Sequence, residues 1–573
     1  MISAKIVNSG IHVRTVALSE YLLMGKLLQK IPVANIIRTL ENGSEKMKET
    51  TQDRARASFK ILLISINNLW RYSNVGVDQL AGYLRNKGFS VDILYHHKNL
   101  RYEEVVKELA LNYDFYGFSI NSSNYDCCVK LAHYIKANSP ASITVFGGGY
   151  PTRYYREIFN VCTVVDYIIL GDGELPMENL LNNIIFGDDL VFEPNIVQHS
   201  EIKGVLGGKQ PYCNGAIDYY PAWDYFERDK LSRNRRKEYC LQTKNNVCTG
   251  KCTFCTERKG AIVYKDINHI VQEINSVYLQ FGIKKFFFTD DNILDPNNDA
   301  AKSRVNALCD AIQQLGHNLV FKCYIKANSL HDTPEDNALL KKMSETGFKT
   351  IFVGLEAGNT ADLQLYNKLT TVDENYSIMR MLRKHEIAPQ IGFINLNPYS
   401  TVDTIKQNYH FLVDIEMDNL FMYVCSYMRV YKYTVMHKKI TIDGLIILGE
   451  DYLDDKSMYR FRDTKIQELF DFISMYMLPR VRNLDFEFDW LFSFFLECKK
   501  INPAAAIYSK DFEDLKKAQL EKIKDFFYIL FVENDLEKGK NQVEDFLSFF
   551  ENLQPRFADL HRNLLEMYIN DES

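Results

Sequence analysis

Three cysteines lie within eight residues of this 573-residue chain, in the segment "VCTGKCTFCTERKG". Cys248, Cys252 and Cys255 are separated by three and then two residues. Thiolates at such short spacing on one loop can converge on one metal centre, and Gly250 lets the loop turn between the first two. The residue types and their spacing therefore predict a metal or catalytic site.

Two kinds of metal centre fit three thiolates. A closed zinc site needs a fourth ligand, which Cys240 or His269 could supply. An iron–sulfur cluster is ordinarily held by four cysteines, so a cluster with three protein thiolates leaves one iron open to an outside ligand. An open iron is what a catalytic cluster needs.

Short apolar runs alternate with helical patterns on both sides of the cysteines. Between about 59 and 200, strand-type runs such as "KILLISI" alternate with helix patterns such as "VDQLAGYLRNKGF", which predicts a doubly wound α/β domain with a parallel sheet covered on both faces. The ligand crevice of such a domain lies beyond the carboxyl ends of its strands. A second alternation, from 236 to 435, contains about six β/α units and predicts an open or partial (β/α)6 barrel.

Three further parts complete the predicted α/β organisation. Residues 1–58 read as an N-terminal extension that ends in a charged linker, 201–235 as an irregular connector that packs on both neighbours, and 436–573 as a mainly helical C-terminal region. We expect the helical region to close the barrel mouth and to help recognise the substrate.

The composition excludes several classes of protein. The chain is 46% hydrophobic and 25% charged with a net charge of −6, so no basic excess indicates a nucleic-acid partner. No apolar run approaches the roughly 20 residues of a membrane span, and no secretory signal is evident. Cysteines scattered through a long chain without a signal fit a reducing compartment, so we expect a cytoplasmic protein.

The cysteine segment resembles a known family. "CTGKCTFC" matches the C-x3-C-x2-C signature of the radical S-adenosylmethionine (SAM) enzymes, including an aromatic residue, Phe254, before the last cysteine. The resemblance implies that Cys248, Cys252 and Cys255 hold a [4Fe–4S] cluster whose fourth iron takes the amino and carboxylate groups of SAM. One electron from the cluster would cleave SAM to methionine and a 5′-deoxyadenosyl radical that abstracts a hydrogen atom.

Three later segments resemble the SAM-binding segments of the same family. "FFFTDDN" ends the second barrel strand and makes Asp290, Asp291 and Asn292 candidates for the SAM amino group, with a helix cap as the alternative. "FVGLEAGN" ends the fourth strand and places Glu356 near the SAM ribose or amine. "GFINLNPYST" ends the fifth strand and would give backbone contact to adenine.

A lysine follows the third barrel strand, where many relatives have an arginine or serine. The segment "CYIKANS" offers Lys326 and Ser329 at this place. A lone lysine is more often a solvated surface group than a ligand. Lys326 is therefore a candidate SAM-binding residue with a surface role as its alternative.

The α/β domain in front resembles the cobalamin-binding domain of B12-dependent radical SAM enzymes. The similar segments are "VFGGGYPT" and "VDYIILGDGE". Glycines after a strand allow close approach of a large planar ligand, which makes Gly147, Gly148 and Gly149 candidate cobalamin contacts. Ser119 and Ser122, at the end of "YGFSINSS", would face the same crevice, with a helix-capping loop as the alternative.

The domain departs from many cobalamin proteins in one motif. The D-x-H-x-x-G loop that supplies a lower-axial histidine is absent, and the first β/α loop reads "NNLWRYSNVG". His96 and His97 lie at the end of the second strand, which is the wrong place. Either cobalamin binds without a protein histidine, or the domain has lost the cofactor.

Three functions follow from these patterns. The first is a cobalamin-dependent radical SAM methyltransferase that acts on an unactivated carbon of a natural product or peptide, with an electron donor such as flavodoxin or ferredoxin. The second is radical SAM chemistry without cobalamin, as in a rearrangement, a dehydrogenation or a peptide modification. The third, from another class, is a zinc-stabilised binding protein.

Overall fold

The structure is a computed structural model. It describes residues 51–67, 74–97, 106, 111–187, 195–198, 219–227, 238–245, 247–256, 260–417, 420–447, 456–481, 491, 494–496, 498–499 and 502–570. The first 50 residues of the predicted N-terminal extension lie outside this part of the chain. Its last residues, 51–58, are helical where a linker is predicted, and the guanidinium of Arg56 donates to Asn182 Oδ1 at 3.1 Å.

The first domain is a six-stranded sheet with the order β2-β1-β3-β4-β5-β6. All pairs are parallel except β5 with β6. The strands are β1 (Lys60–Asn67), β2 (Ser90–His97), β3 (Phe115–Ser119), β4 (Ile143–Gly147), β5 (Tyr167–Ile169) and β6 (Ile196–Gln198). The helices are α1 (Val75–Asn86), α2 (Tyr125–Asn138), α3 (Gly149–Val161) and α4 (Glu174–Phe186).

Successive side chains of β1 pack into separate hydrophobic cores on the two faces of the sheet. Leu62 and Ile64 of β1 pack with α2 and α3, whereas Ile61 and Leu63 pack with α1 and α4. Such two-sided burial explains the near-continuous apolar strands. The doubly wound domain is therefore confirmed, and the strand order reverses between β1 and β3, which is where a ligand crevice is expected.

The described part of the connector, 219–227, has contacts with both neighbouring domains. It includes the short helix α5 (Asp224–Glu227). Towards the first domain, Asp224 forms an ion pair with Arg85 at 2.6 Å. Towards the second domain, the indole N–H of Trp223 donates to the Tyr239 hydroxyl at 3.1 Å.

The second domain is built on a parallel five-stranded sheet with the order β11-β10-β9-β8-β7. The strands are β7 (Tyr239–Leu241), β8 (Lys285–Phe288), β9 (Val320–Lys326), β10 (Phe348–Glu356) and β11 (Ala388–Phe393). The helices around it are α6 (Ile267–Phe281), α7 (Asp299–Gln313), α8 (Pro334–Thr346), α9 (Thr360–Leu365), α10 (Val372–Lys384) and α11 (Val402–Asp414).

Alternate residues of these strands face the helices and the hollow of the curved sheet. In β9, Phe321, Cys323 and Ile325 belong to the large core shared with the helices. Tyr324 lies on the other face, with its ring 5.1 Å from each of the rings of Phe287 and Phe352. Lys326 follows Tyr324 on this hollow face, at the carboxyl end of the strand, because side chains alternate with a period of two.

The sixth predicted β/α unit differs from the others. After α11 the described chain forms a short helix, α12 (Leu420–Val424), and then one parallel bridge between Leu396 and Tyr427. Two more short strands, β12 (Val430–Tyr431) and β13 (Lys456–Ser457), pair antiparallel with each other, and helix α13 (Val435–Ile442) lies between them. A single bridge therefore stands in the sixth position of the partial barrel.

The C-terminal region is mainly helical, as predicted. Its longer described helices include α14 (Thr464–Asp471), α15 (Ser509–Tyr528) and α16 (Leu536–Asn570). Phe494 and Phe512 pack with Val320, the first residue of β9, and the Lys285 ammonium at the start of β8 lies 5.0 Å from the Phe494 ring centre. These side chains cover apolar residues at the amino end of the sheet. They lie at the opposite end from the expected mouth, whereas Met436, Ile440 and Tyr459 of the same predicted region pack with Tyr366 beside the cysteine loop.

None of the helices that the structure describes is both long enough and apolar enough to cross a membrane.

Candidate functional site

The cysteine loop follows β7 and is held on one side by a buried carboxylate. Asp295 is fully buried, and its Oδ2 accepts the Thr249 backbone N–H at 2.8 Å while its Oδ1 accepts the Thr249 hydroxyl. Within the loop, the Gly250 N–H donates to Cys248 Sγ at 3.3 Å. Asp295 therefore fixes the backbone between the first two cysteines.

The other side of the loop is held by the end of α9. Thr253 donates through its N–H to Tyr366 O and through its hydroxyl to Leu365 O, each at 2.9 Å. The Asn367 amide donates to Lys251 O at 2.9 Å. Phe254 packs edge-on against Tyr366, with 5.6 Å between ring centres. The aromatic residue of the motif is thus an anchor that seats the loop.

Lys326 reaches the cysteine loop. Its ammonium lies 3.2 Å from Asp295 Oδ1 and 3.1 Å from the Thr249 hydroxyl oxygen. A Cβ on Gly250 would lie 3.4 Å from Lys326 Cε. The structure thus gives Lys326 a place beside the loop as a partner of Asp295, in contrast to the solvated surface role, and its contact with SAM remains a proposal.

Replacing Asp295 by asparagine should loosen this anchor. Burial raises the pKa of Asp295, but the hydrogen bonds from Thr249 and the ammonium of Lys326 outweigh burial and hold it below the ordinary 3.8. A lowered pKa means that the carboxylate stabilises the fold above that pH and loses its contribution as pH falls further. We expect Asp295→Asn to cost about 3 kcal/mol near neutral pH, because Lys326 loses its partner.

The pH dependence of unfolding tests this prediction. Thermal melts of both proteins should show a gap in Tm that is widest near pH 7 and narrows below about pH 4. A gap of constant size across this range would contradict the role assigned to the carboxylate charge.

The three thiols of the loop can each bind a different iron of one cluster. Within the described residues, no group of three or more His, Cys, Asp or Glu side chains is placed to hold one metal ion. In a [4Fe–4S] cluster each thiolate binds a different iron, so the thiolates surround the cluster. His269, a candidate fourth zinc ligand, stacks on Tyr220 with 4.2 Å between ring centres. The donor set, three thiols with an N–H donated to Cys248, fits a cluster.

Glu356 projects from the end of β10 next to a lysine that sequence reasoning missed. The Lys368 ammonium lies 2.9 Å from Glu356 Oε1, and the two side chains are only 8% and 12% exposed. A Cβ on Gly354 would lie 2.6 Å from Lys368 Nζ and 2.7 Å from Glu356 Oε1. The pair therefore lies directly over a strand backbone that has no side chain at this point.

Lys368 is also within electrostatic reach of the cysteines. Burial lowers the pKa of its ammonium, but Glu356, Cys252 and Cys248 together outweigh burial and leave that pKa above its usual value. No residue type in "LYNKLTT" marks this lysine as functional. Only the backbone conformation marks this lysine, because Asn367 and Leu369 on either side of Lys368 have φ of 53° and 52°.

The three polar residues after β8 have separate environments. Asp290 is buried, and its carboxylate accepts the backbone N–H groups of Thr243 at 3.0 Å and Lys244 at 3.1 Å. Burial, ahead of the opposing effect of Lys244, raises the Asp290 pKa. Its carboxylate thus stabilises the start of the cysteine loop, and binding of the SAM amine by Asp290 remains a proposal.

The surroundings of Asp291 and Asn292 differ from those of Asp290. Burial and the nearby Cys240, Glu238 and Asp291 raise the pKa of Tyr324 to about 12. Asp291 therefore lies near Tyr324, on the hollow face of the sheet. Asn292 is fully buried, with its Oδ1 accepting the Leu294 N–H at 3.2 Å and its Nδ2 without a partner among the described residues. A buried amide with an unused donor fits contact with a ligand.

In the first domain, the candidate serine of β3 lies where the strand order reverses. The Asn74 amide donates to Ser65 Oγ of β1 and to Ser119 Oγ of β3, each at 3.1 Å. Asn74 is also the N-cap of α1, with its Oδ1 accepting the Val77 N–H at 3.3 Å. Ser119 therefore lies where the strand order reverses, and its contact with cobalamin remains a proposal, whereas Ser122 is exposed in the following turn.

The three glycines join β4 to α3. Gly148 has φ of 99°, and a Cβ there would lie 2.8 Å from Ile120 O. The Thr152 hydroxyl accepts the Gly171 N–H at 2.9 Å, which brings the two cobalamin-like segments together. Gly147 and Gly149 flank this contact at the end of β4 and the start of α3. The close approach at Gly148 is thus to protein backbone, and the glycine loop lies at the same crevice edge as Ser119.

Alanine at Gly148 should distort this edge. The left-handed φ costs about 1–3 kcal/mol for a non-glycine residue, and the Ile120 carbonyl cannot move without shifting β3. We expect Gly148→Ala to lower the affinity for hydroxocobalamin at least tenfold in an absorbance titration. Gly187→Ala is the matched control, because Gly187 has φ of 70° with nothing within 4 Å of the added Cβ. Equal affinity in the two variants would count against a crevice at this edge.

A short segment joins the two candidate sites. Tyr433 donates its hydroxyl to Glu157 of α3, and its ring lies 5.8 Å from that of Tyr154. Three residues later, the Met436 N–H donates to Thr253 O, between Cys252 and Cys255, at 2.9 Å. Three residues of extended chain span at most about 11 Å. The helix that follows the glycine loop therefore lies close to the cysteine loop.

Comparison with known proteins agrees with these two sites. Residues 60–181 match the family model "B12 binding domain", and residues 244–412 match the model "Radical SAM superfamily". The first of these domains binds cobalamin, and the second binds a [4Fe–4S] cluster and SAM. The anaerobic magnesium-protoporphyrin IX monomethyl ester cyclase of Synechocystis sp. is 22% identical over 55% of this chain and 62% of its own length. The chain thus spans under two thirds of that relative.

Two solved structures share the fold. The cobalamin-dependent SAM radical enzyme OxsB, solved with aqua-cobalamin and SAM bound, has a TM-score of 0.67 at 16% identity over 90% of this chain and 80% of its own. The radical SAM methyltransferase TsrM from Kitasatospora setae, solved with cobalamin and a [4Fe–4S] cluster, has a TM-score of 0.52 at 16% identity over 67% and 78%. These structures share the fold, and the two family models show that this chain joins a B12-binding domain to a radical SAM domain.

Proposed function

We propose that this protein is a cobalamin-dependent radical SAM methyltransferase that acts on an unactivated carbon of a natural product or peptide. The observation that carries the proposal is the segment from Tyr433 to Met436, which contacts α3 of the B12-binding domain at one end and the cysteine loop at the other. A methyl carrier and a radical source on either side of one gap suit transfer of a methyl group to a carbon that must first lose a hydrogen atom.

The chain's own residues have distinct tasks in this proposal. Cys248, Cys252 and Cys255 hold the [4Fe–4S] cluster, which supplies one electron for the cleavage of SAM while cobalamin serves as methyl carrier. Glu356 offers a carboxylate for the SAM ribose or amine, held by Lys368. Phe287, Tyr324 and Phe352 line the hollow face behind it and help to exclude water from this space.

The first domain would hold cobalamin without a histidine below the ring. The end of β2 places His96 at the edge of the sheet, because β2 is the outermost strand, whereas Ser65, Asn74 and Ser119 occupy the point where the strand order reverses. The first β/α loop, 68–73, lies outside the described residues. We therefore propose that corrinoid affinity comes from the crevice at β1 and β3 together with the glycine loop.

Products of SAM test the proposal without knowledge of the substrate. Anaerobically reconstituted protein is incubated with SAM, dithionite and hydroxocobalamin, and S-adenosylhomocysteine and 5′-deoxyadenosine are quantified. A methyl carrier predicts S-adenosylhomocysteine that requires the corrinoid and is lost in Gly148→Ala. If 5′-deoxyadenosine is formed at the same rate with and without corrinoid and no S-adenosylhomocysteine appears, methyl transfer is wrong.

A second function is favoured by one comparison. The Synechocystis relative is named a cyclase, so a radical SAM protein of this kind need not transfer a methyl group. For this chain the alternative is a radical rearrangement or dehydrogenation. In that case 5′-deoxyadenosine would form with a modified substrate whose mass has not risen by one methyl group.

A further inference from the structure

The ion pair of Lys368 and Glu356 is unusual because it combines burial with left-handed backbone at Glu356 and at both neighbours of Lys368. Glu356 has φ of 68°, and Asn367 and Leu369 on either side of Lys368 have φ of 53° and 52°. Left-handed conformations of non-glycine residues cost free energy and persist only where surrounding contacts impose them. The chain therefore places these two charges at a definite position.

The pair lies in a buried position over two glycines. Lys368 is 8% exposed, and its ammonium lies over Gly354, where a Cβ would approach it to 2.6 Å. Glu356 Oε2 lies over Gly392, with 3.3 Å to the place of a Cβ on that residue. Beneath the pair, the neighbouring strands β10 and β11 each have a glycine, and so no side chain, at one position. A bare backbone keeps the charges close to each other and away from water.

The turn that carries Lys368 also carries the contacts that seat the cysteine loop. Leu365, Tyr366 and Asn367 bond to Thr253 and Lys251 of the loop. Lys368 is the next residue, and its backbone N–H donates to Leu363 O at 3.0 Å. The position of the ammonium relative to Cys248 and Cys252 is therefore set by the same few hydrogen bonds that set the position of the loop.

We propose that Lys368 is a positioning residue that places a fixed positive charge beside the cluster and thereby raises its reduction potential. On reduction, one electron from a low-potential reductant enters the cluster, no bond forms or breaks, and the cluster with its thiolates becomes more negative by one charge. A nearby cation favours that more negative state, and a nearby anion opposes it. Net charge and burial are the levers that set such potentials.

Charge-removing variants test the sign of the effect. Lys368→Met keeps much of the side-chain length, and we expect it to disfavour reduction about tenfold, a shift of about 59 mV to lower potential for a one-electron couple. Glu356→Gln removes the neighbouring anion and should shift the potential upward. Lys368→Arg keeps the charge and should stay near the wild type. Lys341→Met, which changes a lysine that is 69% exposed, is the matched control.

The measurement is a mediated redox titration of the reconstituted cluster, without SAM, cobalamin or substrate. Iron content of each variant is measured first. An unchanged potential in Lys368→Met, or a downward shift in Glu356→Gln, would overturn the proposal. If Lys368→Met retains no iron, the sign of the shift in Glu356→Gln decides the proposal, and Lys368→Arg must keep a potential near the wild type. The inference rests on the cluster site of the proposed function and not on methyl transfer, so each can fail without the other.

Discussion

Replacing Cys252 by alanine should abolish both the cluster and the cleavage of SAM. Wild-type protein reconstituted under anaerobic conditions should hold about four irons per chain, as a [4Fe–4S] cluster requires. With two thiolates left, Cys248 and Cys255 cannot retain the cluster, although Thr253 still anchors the loop to α9. We expect iron and 5′-deoxyadenosine to fall to background while the melting temperature of the iron-free protein changes little.

Cys240→Ala is the matched control for this prediction. Cys240 is a buried cysteine of β7 and would be a ligand only in a closed zinc site. The cluster account expects Cys240→Ala to keep its iron and its 5′-deoxyadenosine. Metal analysis that finds one zinc per chain, lost in both variants, would favour the zinc-stabilised binding protein.

Adding one methyl group at Gly354 should separate binding of SAM from stability of the fold. The new Cβ would lie 2.6 Å from Lys368 Nζ and 2.7 Å from Glu356 Oε1, and both atoms are the ends of flexible side chains. The fold can therefore absorb the change by displacing the ion pair. We expect the melting temperature of Gly354→Ala to fall by a few degrees at most and its affinity for SAM to fall at least tenfold.

Calorimetric titration of SAM into reconstituted protein measures this effect. Gly76→Ala serves as control, because the nearest atom to its added Cβ, Asn74 Oδ1, is at an ordinary 3.7 Å. Wild-type affinity in Gly354→Ala, with iron content retained, would mean that the Glu356 carboxylate has no part in holding SAM.

The sequence identified the chemistry at the cysteines because the motif is local. Cys248, Cys252 and Cys255 lie on one loop, and their types and spacing alone carry the information. The contacts that hold the loop in place come from residues far away in the sequence. Asp295 lies 46 residues after Thr249, and Leu365 lies 112 residues after Thr253. No pattern within a window of sequence can predict such contacts.

The sixth barrel unit shows a second limit. The run "NLFMYVCSYMRVY" is rich in apolar and aromatic residues, and periodicity does not distinguish a short strand from a short buried helix. Leu420, Phe421 and Val424 are buried on one side of α12, against the C-terminal helices. Tertiary packing decided the outcome here, whereas the long strands β9 and β10 follow their patterns closely.

Lys368 shows a third limit. Lysines are usually exposed, and nothing in the composition of its segment separates it from the other lysines of the chain. Its role depends on burial against Gly354 and on the approach of Glu356, which only the folded chain brings together.

We propose that a cluster site and a cobalamin site lie on either side of one gap, joined by the segment from Tyr433 to Met436. Electron paramagnetic resonance tests this directly, because both the reduced cluster and the one-electron-reduced corrinoid carry an unpaired electron. Protein loaded with both should show faster spin relaxation of the corrinoid when the cluster is reduced, and Cys252→Ala with corrinoid alone should not. Bound corrinoid whose relaxation is the same in both proteins would show that the two sites are not close to each other.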